Sequence, residues 1–497
     1  MTVGTCGGSF DLLTNEMAAA IDRATIEGGI PGIELMENAG RGIVRELLRR
    51  HCPRRCVVLC GPGNNGGDGY VVARRLAEIG IAVETAAIAP RERLANDAAL
   101  ASRAWTGPHR GIDEIAIRAE DIVIDALFGS GLTRAFDGKG ADALKRAQAA
   151  GATIVSVDVP SGVNGSTGAV HGWAPTADLT VTFNRLKLGH ALQPGRSHCG
   201  DIACVDIGIP EERQCHDGSL PRINHPSFWR GLLPGSRAVH HKYDRGQLAV
   251  LGGPAGMTGA SILAAQAGEA AGAGLTTLLC DPAAAGIYAS HLVTVMVRSL
   301  DTPEILSGFL QDRRIRATVA GPGMGLLPAS ADKLETVLGL GLPGVFDADA
   351  LTMFAAERDR FFPLLYPACI LTPHEGEMAR LAPGSGPKPM RALALARQAG
   401  CVVLLKGSDT IIAAPDGRVL VNVNAPATLA RAGSGDTLAG LIGGLLAGSM
   451  PGFEAAAAAA WLHAETALKA GPFPSVSALA QEIPSVLAEV RRSDVSR

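Results

Sequence analysis

The sequence predicts an α/β protein of two domains, each a parallel sheet covered by helices. Three observations carry this. Strand-length apolar runs alternate with helix-length stretches through both halves of the chain. Most runs end in Gly, Asp, Pro or Lys, the loops through which such sheets bind ligands at the carboxyl ends of their strands. The alternation is interrupted by one polar, turn-rich segment, PEERQCHDGSLP at 210–221. A chain of 497 residues exceeds one ordinary core, so the segment reads as a linker between domains at 1–222 and 223–497.

In chain order, a first helix is expected over 16–27, with Met17, Ile21 and Ala24 on one face and a stop at Gly28 and Gly29. Strands are expected at 56–60, 82–88, 121–128, 153–159 and 179–183. The pattern restarts with 247–251, 276–280, 318–320, 344–346, 369–371 and 401–405. The apolar stretch 438–450 is broken by glycines and too short for a bilayer, so it reads as a buried helix. The six alanines 455–460 before Trp461 read as a closely packed helix.

Composition narrows the function. Hydrophobic residues at 47% allow large cores, and a net charge of -3 gives no footprint for nucleic acid or an anionic membrane. The ten cysteines, at 6, 52, 56, 60, 199, 204, 215, 280, 369 and 401, form no CxxC pair. Cys52, Cys56 and Cys60 beside His51 invite a zinc reading, but paired structural ligands sit closer, and reduced core thiols are the expectation. Residues 1–10 show no basic segment leading into an apolar one, so the cytoplasm is the expected compartment.

Two glycine-rich loops carry the chemistry. GPGNNGGDGY at 61–70 follows a strand and opens a helix, where backbone N–H groups make an anion site. Gly61, Gly63 and Gly66 satisfy a dinucleotide fingerprint, with Glu84 near the ribose-binding distance. The inserted Asn64 and Asn65, the extra Gly67, and Asp68 where a pyrophosphate would be repelled all argue against a hydride-transfer domain. Asp68 suits hydroxyls, a cation or a helix cap instead. Asp125 and Asp158 sit at two neighbouring strand ends, with Ser161 just beyond. Asn65, Asp125 and carbonyls near Ser161 offer the hard oxygens a monovalent cation prefers; turn capping is the alternative for each aspartate alone.

The second loop, AGSGD at 432–436, opens the helix at 438–450. Its N–H groups can hold a transferring phosphoryl group, and Asp436 can accept the proton of an attacking hydroxyl. No Walker A sequence is present. KGSDT at 406–410, GPAGMTGA at 253–260, GPGMG at 321–325, DAD at 347–349 and TPHEGE at 372–377 all fall just after strands. His374 reads equally as a helix cap or surface group alone; within this set a substrate contact is better supported.

Here a resemblance enters. LMENAG at 35–40, GNNGGDGY at 63–70, DALFGSGL at 125–132 and VDVPSG at 157–162, in that order, resemble the NAD(P)H-hydrate epimerase family. The C-terminal set resembles the ADP-dependent NAD(P)H-hydrate dehydratases of the ribokinase superfamily over roughly 223–492. The resemblance implies a Rossmann-like parallel-sheet sandwich followed by a ribokinase-like α/β/α domain, in a bifunctional repair enzyme. R- and S-NAD(P)H hydrates would be interconverted, and the S form dehydrated with ADP to NAD(P)H, AMP and phosphate.

It implies hydrate binding by Asn64, Asn65, Gly66, Gly67, Asp68, Gly129, Ser130, Gly131, Leu132, Thr133, Arg134, Ala135 and Asp158. Potassium would lie on Asn65, Asp125 and Ser161. In the second domain Ala260, Gly323, His374 and Asp436 would contact the hydrate. Lys406, Gly407, Ser408, Asp409, Thr410 and Gly435 would hold ADP, which enters with magnesium. Asp158 and Asp436 are the catalytic candidates, Asp436 as base. Lys187 reads as a surface lysine that could otherwise steer phosphates.

Small-molecule partners and a homo-oligomer are the expectation. Ala432 departs from a commoner glycine, and Asn424-Ala-Pro426 from a commoner Asn-Pro-Gly. Two rivals remain: a vitamin or sugar kinase fused to a nucleotide-binding domain, which would use ATP and leave a stable phosphorylated product, and an N-terminal domain kept only for binding.

Overall fold

The computed structural model of the chain describes residues 8–214, 220–235, 245–300 and 302–492. Cys6, Cys215 and linker positions 215–219 therefore lie outside the described residues. Two compact units meet in sequence between Arg222 and Ile223.

The first unit is built on seven parallel strands. Across the sheet they run His109–Gly111, Ala82–Ala87, Arg55–Cys60, Ile122–Ala126, Thr153–Val157, Leu179–Phe183 and Asp201–Val205. Chain order thus runs outward from Arg55–Cys60 in one direction, then jumps back and runs outward in the other, the doubly wound arrangement. Alternation along one strand shows why the run is wholly apolar. Cys56, Val58 and Cys60 pack with Ile43, Leu47, Tyr70 and Val72 of the helices Gly32–Arg50 and Asn64–Glu78. Val57 and Leu59 face Leu144 and Ala147 of the helix Gly138–Ala150. A strand covered on both faces needs no polar side.

The expected first helix is Asn15–Glu27, capped by the Thr14 side chain on Met17 N–H, and it ends at Gly28. The expected strand 153–159 stops at Val157, because Asp158 takes a left-handed φ of 66° and Pro160 follows. Sequence reading missed the strands His109–Gly111 and Asp201–Val205. The first is three largely polar residues at a sheet edge, with no apolar run to mark it.

The second unit holds a ten-stranded sheet. Met296–Ser299, Leu275–Cys280, Gln247–Leu251, Ile315–Ala320, Gly344–Phe346, Cys369–Leu371 and Val402–Leu405 are parallel and repeat the same doubly wound order. Thr410–Ala413 and Val419–Asn422 add an antiparallel hairpin, and a two-residue strand closes the edge. The hairpin and the exposed strand Met296–Ser299 were not foreseen. The helix Ser434–Ala447 is buried along most of its length, as is the helix Gly452–Lys469, whose run of six alanines at 455–460 is all inside.

Two glycines explain how the loops at the switch points fit together. A Cβ on Gly61 would lie 1.7 Å from the Leu127 carbonyl oxygen, and one on Gly253 would lie 1.6 Å from that of Gly323. In each unit the loop after the first strand crosses the loop after the fourth at a distance only glycine allows.

Among the described residues no helix is long and apolar enough to cross a membrane, and no group of three or more His, Cys, Asp or Glu is arranged to hold a metal. Cys52 is exposed, whereas Cys56 and Cys60 are buried in the sheet. Burial, with the Asp121 charge adding, pushes the Cys56 thiol up to about 12.

Candidate active sites

In the first unit the chain reverses direction across the sheet between Arg55–Cys60 and Ile122–Ala126. Loops leaving these strands diverge, and a crevice opens at their carboxyl ends. A cavity of about 520 Å³ lies there. Its wall includes Asn64, Asn65, Asp68, Gly129, Ser130, Gly131, Leu132, Thr133, Arg134 and Asp158, so most of the expected site comes together. Gly66, Gly67 and Ala135 do not line it. Gly66 is pressed against the Gly61 backbone and Gly67 against Met36 and Ala98, which gives both glycines a packing reason. Asp68 is no cap: the helix starts at Asn64, so Asp68 lies beyond its first turn, buried. Glu84 is bound by Arg55 and Arg110 instead of lining the crevice.

Four polar wall residues escaped the expected set: Asn15, Asp22, Asn184 and Lys187. The pairing of Leu12–Leu13 with Leu186–Lys187 brings the helix Asn15–Glu27 and the lysine to the cavity. Lys187 is 5% exposed, which corrects its reading as a surface group. Its ammonium lies 2.7 Å from Asp158 Oδ1 and donates to Thr182 Oγ1 at 2.9 Å. The only sequence signal was its apolar flanks, Leu186 and Leu188.

Asp158 is held on every side. Thr182 Oγ1 donates to its Oδ1 at 3.0 Å and the Ser130 N–H to its Oδ2 at 3.1 Å. His190 accepts the Lys187 N–H on Nδ1 at 2.9 Å, which leaves its Nε2–H to donate to the Asp158 carbonyl at 2.8 Å. Burial pushes the Asp158 carboxyl up, but the Lys187 ammonium, its hydrogen bond and the Ser130 N–H outweigh it and hold the group ionised, below the ordinary carboxylate range. Asp68 goes the other way. Burial raises it well above the usual range, the Asp158 and Asp22 charges add, and Lys187 only partly opposes.

Asp125 and Ser161 meet. Ser161 donates its N–H to Asp125 Oδ2 at 2.8 Å and its hydroxyl to Oδ1 at 2.6 Å, and Ser156 adds a bond at 3.2 Å. Burial raises the Asp125 carboxyl against these donors. Asn65 stands across Gly129, with its buried Nδ2 left without a hydrogen-bond partner.

In the second unit a cavity of about 460 Å³ is lined by His374, Lys406, Gly407, Ser408, Thr410, Gly435 and Asp436 from the expected set. The N–H groups of Gly435 and Asp436 open the helix Ser434–Ala447 and have no intrahelical acceptor, so they remain available to an anion. Lys406 reaches over this turn: its ammonium is 2.6 Å from Asp347 Oδ1 and would lie 3.4 Å from a Cβ on Gly435. The Asp436 carboxyl is raised to about 6, first by burial and then by the Asp347 charge, with Lys406 opposing and Asp349 adding. Asp347 thus lines the cavity and sets its charge balance; it was noticed in the sequence as a motif but given no role there. Its neighbour Ala348 lines the cavity with a left-handed φ of 48°, strained for a residue with a Cβ.

His374 is a helix cap that also lines the cavity. Its Nδ1 accepts the N–H groups of Gly376 and Glu377 at 2.9 and 3.2 Å, while Glu377 returns a bond to the His374 N–H. Asp409 turns away to Lys388, at 2.7 Å. Ala260 and Gly323 lie outside this cavity, beside each other at the switch point. Residues outside the expected set also line the cavity, among them Asn422, Ala425, Pro426, Leu429, Arg431, Ala460 and His463.

Comparisons with known proteins agree with this division. Residues 32–189 match the family model described as YjeF-related protein N-terminus, and residues 248–488 match that described as NAD(P)H-hydrate dehydratase. The chain is 36% identical to the bifunctional NAD(P)H-hydrate repair enzyme of Moorella thermoacetica, over 91% of each chain. It is 33% identical to that of Thermosynechococcus vestitus, over 92% of this chain and 93% of the relative. A ribokinase-like superfamily protein from Enterococcus faecalis superposes with a TM-score of 0.51 at 23% identity, covering 56% of this chain and 99% of its own, which establishes the fold of the second unit.

Proposed function

This chain belongs to the bifunctional NAD(P)H-hydrate repair enzymes, and from that premise we propose that residues 1–222 interconvert the R and S hydrates while residues 223–497 dehydrate the S form at the expense of ADP. The observation that carries the reading is the same in both units. Each switch-point fold presents a cavity in which a Lys–Asp ion pair stands beside a carboxyl whose proton affinity is raised.

In the first cavity the open turn at Asn64 and the 129–134 loop bind the nucleotide, and the Asp158–Lys187 pair faces the hydroxyl-bearing ring. Asp158, anionic and immobilised, holds the substrate and serves as proton acceptor. Asn65, Asp125 and Ser161 would hold potassium through hard oxygens, and the unpartnered Asn65 Nδ2–H remains free to donate to a phosphate oxygen. The ion would supply fixed positive charge to the phosphates and the loop around them.

In the second cavity the Gly435 and Asp436 N–H groups and Lys406 receive the terminal phosphate of ADP, whose magnesium comes with the nucleotide. Asp436 takes the proton of the ring hydroxyl as its oxygen attacks phosphorus, and AMP departs. The new bond is oxygen–phosphorus; the ring carbon–oxygen bond then breaks with its electron pair leaving on phosphate. Loss of a proton from the neighbouring carbon restores the ring double bond. Asp409 supports the Lys406 loop through Lys388, while Ala260 and Gly323 shape the hydrate's approach at the switch point.

The test is recovery of the reduced-nicotinamide absorbance from a mixed-epimer NADH hydrate, with magnesium, potassium and ADP or ATP. Complete recovery with ADP supports the reading. A stable phosphorylated product formed with ATP would instead establish the kinase alternative.

A further inference from the structure

The epimerase reading gives one group in the first cavity a hydrate contact but no chemical role. Asp68 lines the cavity, yet the residue is 9% exposed and its carboxyl accepts no hydrogen bond from the described residues. A buried carboxylate without a donor is costly; a carboxylic acid is less so. Every charged group shown to act on it comes from another element. Asp22 stands on the helix Asn15–Glu27, Asp158 at the end of Thr153–Val157, and Lys187 on Leu186–Lys187. The one cation among them is already taken by Asp158, at 2.7 Å. Asp158 in turn has both oxygens engaged by Lys187, Thr182 and Ser130, and no proton to give.

Resting on that epimerase reading, we propose that Asp68 is a catalytic residue, the acid that delivers a proton to the departing ring hydroxyl, with Asp158 as the acceptor. The proton passes from the Asp68 carboxyl to the hydroxyl oxygen. The carbon–oxygen bond breaks with its electron pair on oxygen, water leaves, and the lone pair of the adjacent ring nitrogen closes a carbon–nitrogen double bond. Water adds to the opposite face, forming a new carbon–oxygen bond as the double-bond pair returns to nitrogen. The proton it sheds goes to Asp158 and back to Asp68 through the solvent of the cavity. One water leaves and one enters, so no other reactant is needed. Burial and the two neighbouring carboxylates shift Asp68 toward its protonated form, the form an acid of this kind requires.

The experiment follows interconversion of separated R and S hydrates against pH in the full chain, with no nucleotide added. Because the donor must carry its proton, the parent rate should fall as pH rises through the Asp68 pKa. Asp68→Asn should lower kcat by a factor of about 10² to 10⁴ with KM changed by less than about threefold. Asp22→Asn removes a negative neighbour, so it should move the alkaline limb to lower pH and still epimerise. That shift is one a merely structural role for Asp68 would not produce.

A folded Asp68→Asn chain with kcat within threefold of the parent would overturn the proposal. So would an alkaline limb unmoved by Asp22→Asn, which decides the matter if Asp68→Asn fails to fold. In either case a parent that interconverts the epimers leaves the epimerase reading standing. A parent that interconverts none at any pH overturns both.

Discussion

The two cavities of this chain solve the same problem with the order of their parts exchanged. Both lie by doubly wound sheets, and both set a Lys–Asp ion pair beside a carboxyl of raised proton affinity. In the first, the raised group is Asp68, buried beyond the first turn of its helix. In the second it is Asp436, third residue of its helix and raised only to about 6. The difference teaches what depth decides. A deeply buried carboxyl keeps its proton and suits an acid. A carboxyl at a helix mouth, beside N–H groups free to hold phosphate, loses its proton near neutrality and suits a base.

Removing the second base should break the symmetry most. Asp436→Ala is expected to lower the dehydration kcat by a factor of about 10² to 10⁴, while epimer interconversion continues. Asp158→Ala should do the reverse. Loss of both activities from either folded variant would count against two separate sites.

Lys406→Met comes next. Hydrogen bonds to charged groups contribute about 1.5–3 kcal/mol, so the nucleotide KM should rise roughly 10- to 150-fold. An unchanged KM would mean that the lysine serves Asp347 alone.

The pH profile sharpens the contrast further. Asp436 must be ionised to act, so dehydration should fall about tenfold per unit as pH drops below about 6. Asp347→Asn removes a negative neighbour and should move that limb to lower pH by on the order of one unit. Epimerisation, limited by an acid, should fail on the alkaline side instead. Profiles of the two activities measured in one preparation would show whether the limbs are opposite.

Stability provides the smallest effect. The folded pKa of Asp436, about 6, lies above its ordinary value of 3.8, so its contribution is fully present below about pH 4 and is lost as pH rises through 6. At pH 7.5 the ionised group weakens the fold, by about 1–2 kcal/mol after allowance for its partial exposure. Asp436→Asn should gain that amount at pH 7.5 and little at pH 4, read from denaturant midpoints. Asp158 has the opposite sign: its pKa is depressed, so its contribution is lost on acidification.

What was legible in the sequence follows the same physics. The glycine loops stood out because residues such as Gly61 and Gly253 meet another loop's carbonyl, and only one residue type fits. Most of the strands were readable because burial on both faces leaves them largely apolar. Lys187 was not, because its partner Asp158 lies on a different strand end and only the Leu12–Leu13 pairing completes that wall. Asp22 was hidden likewise, being one acid on an otherwise ordinary amphipathic helix. In the second unit the phosphate end of the cavity was marked by glycines and charges. The apolar wall of Ala425, Leu429 and Ala460 was written in residues that look like any core. The roles of Asp347 and Asp68 depended on which charges face each other, which spacing alone does not reveal.

The central claim, two independent chemistries in one chain, is tested most directly with pure R hydrate as substrate, ADP present and NADH absorbance as the signal. Neither Asp158→Ala nor Asp436→Ala alone should produce NADH beyond the spontaneous epimerisation rate, and an equal mixture of the two should convert the substrate fully. NADH from either variant alone above that background, or none from the mixture of two folded variants, would contradict the account.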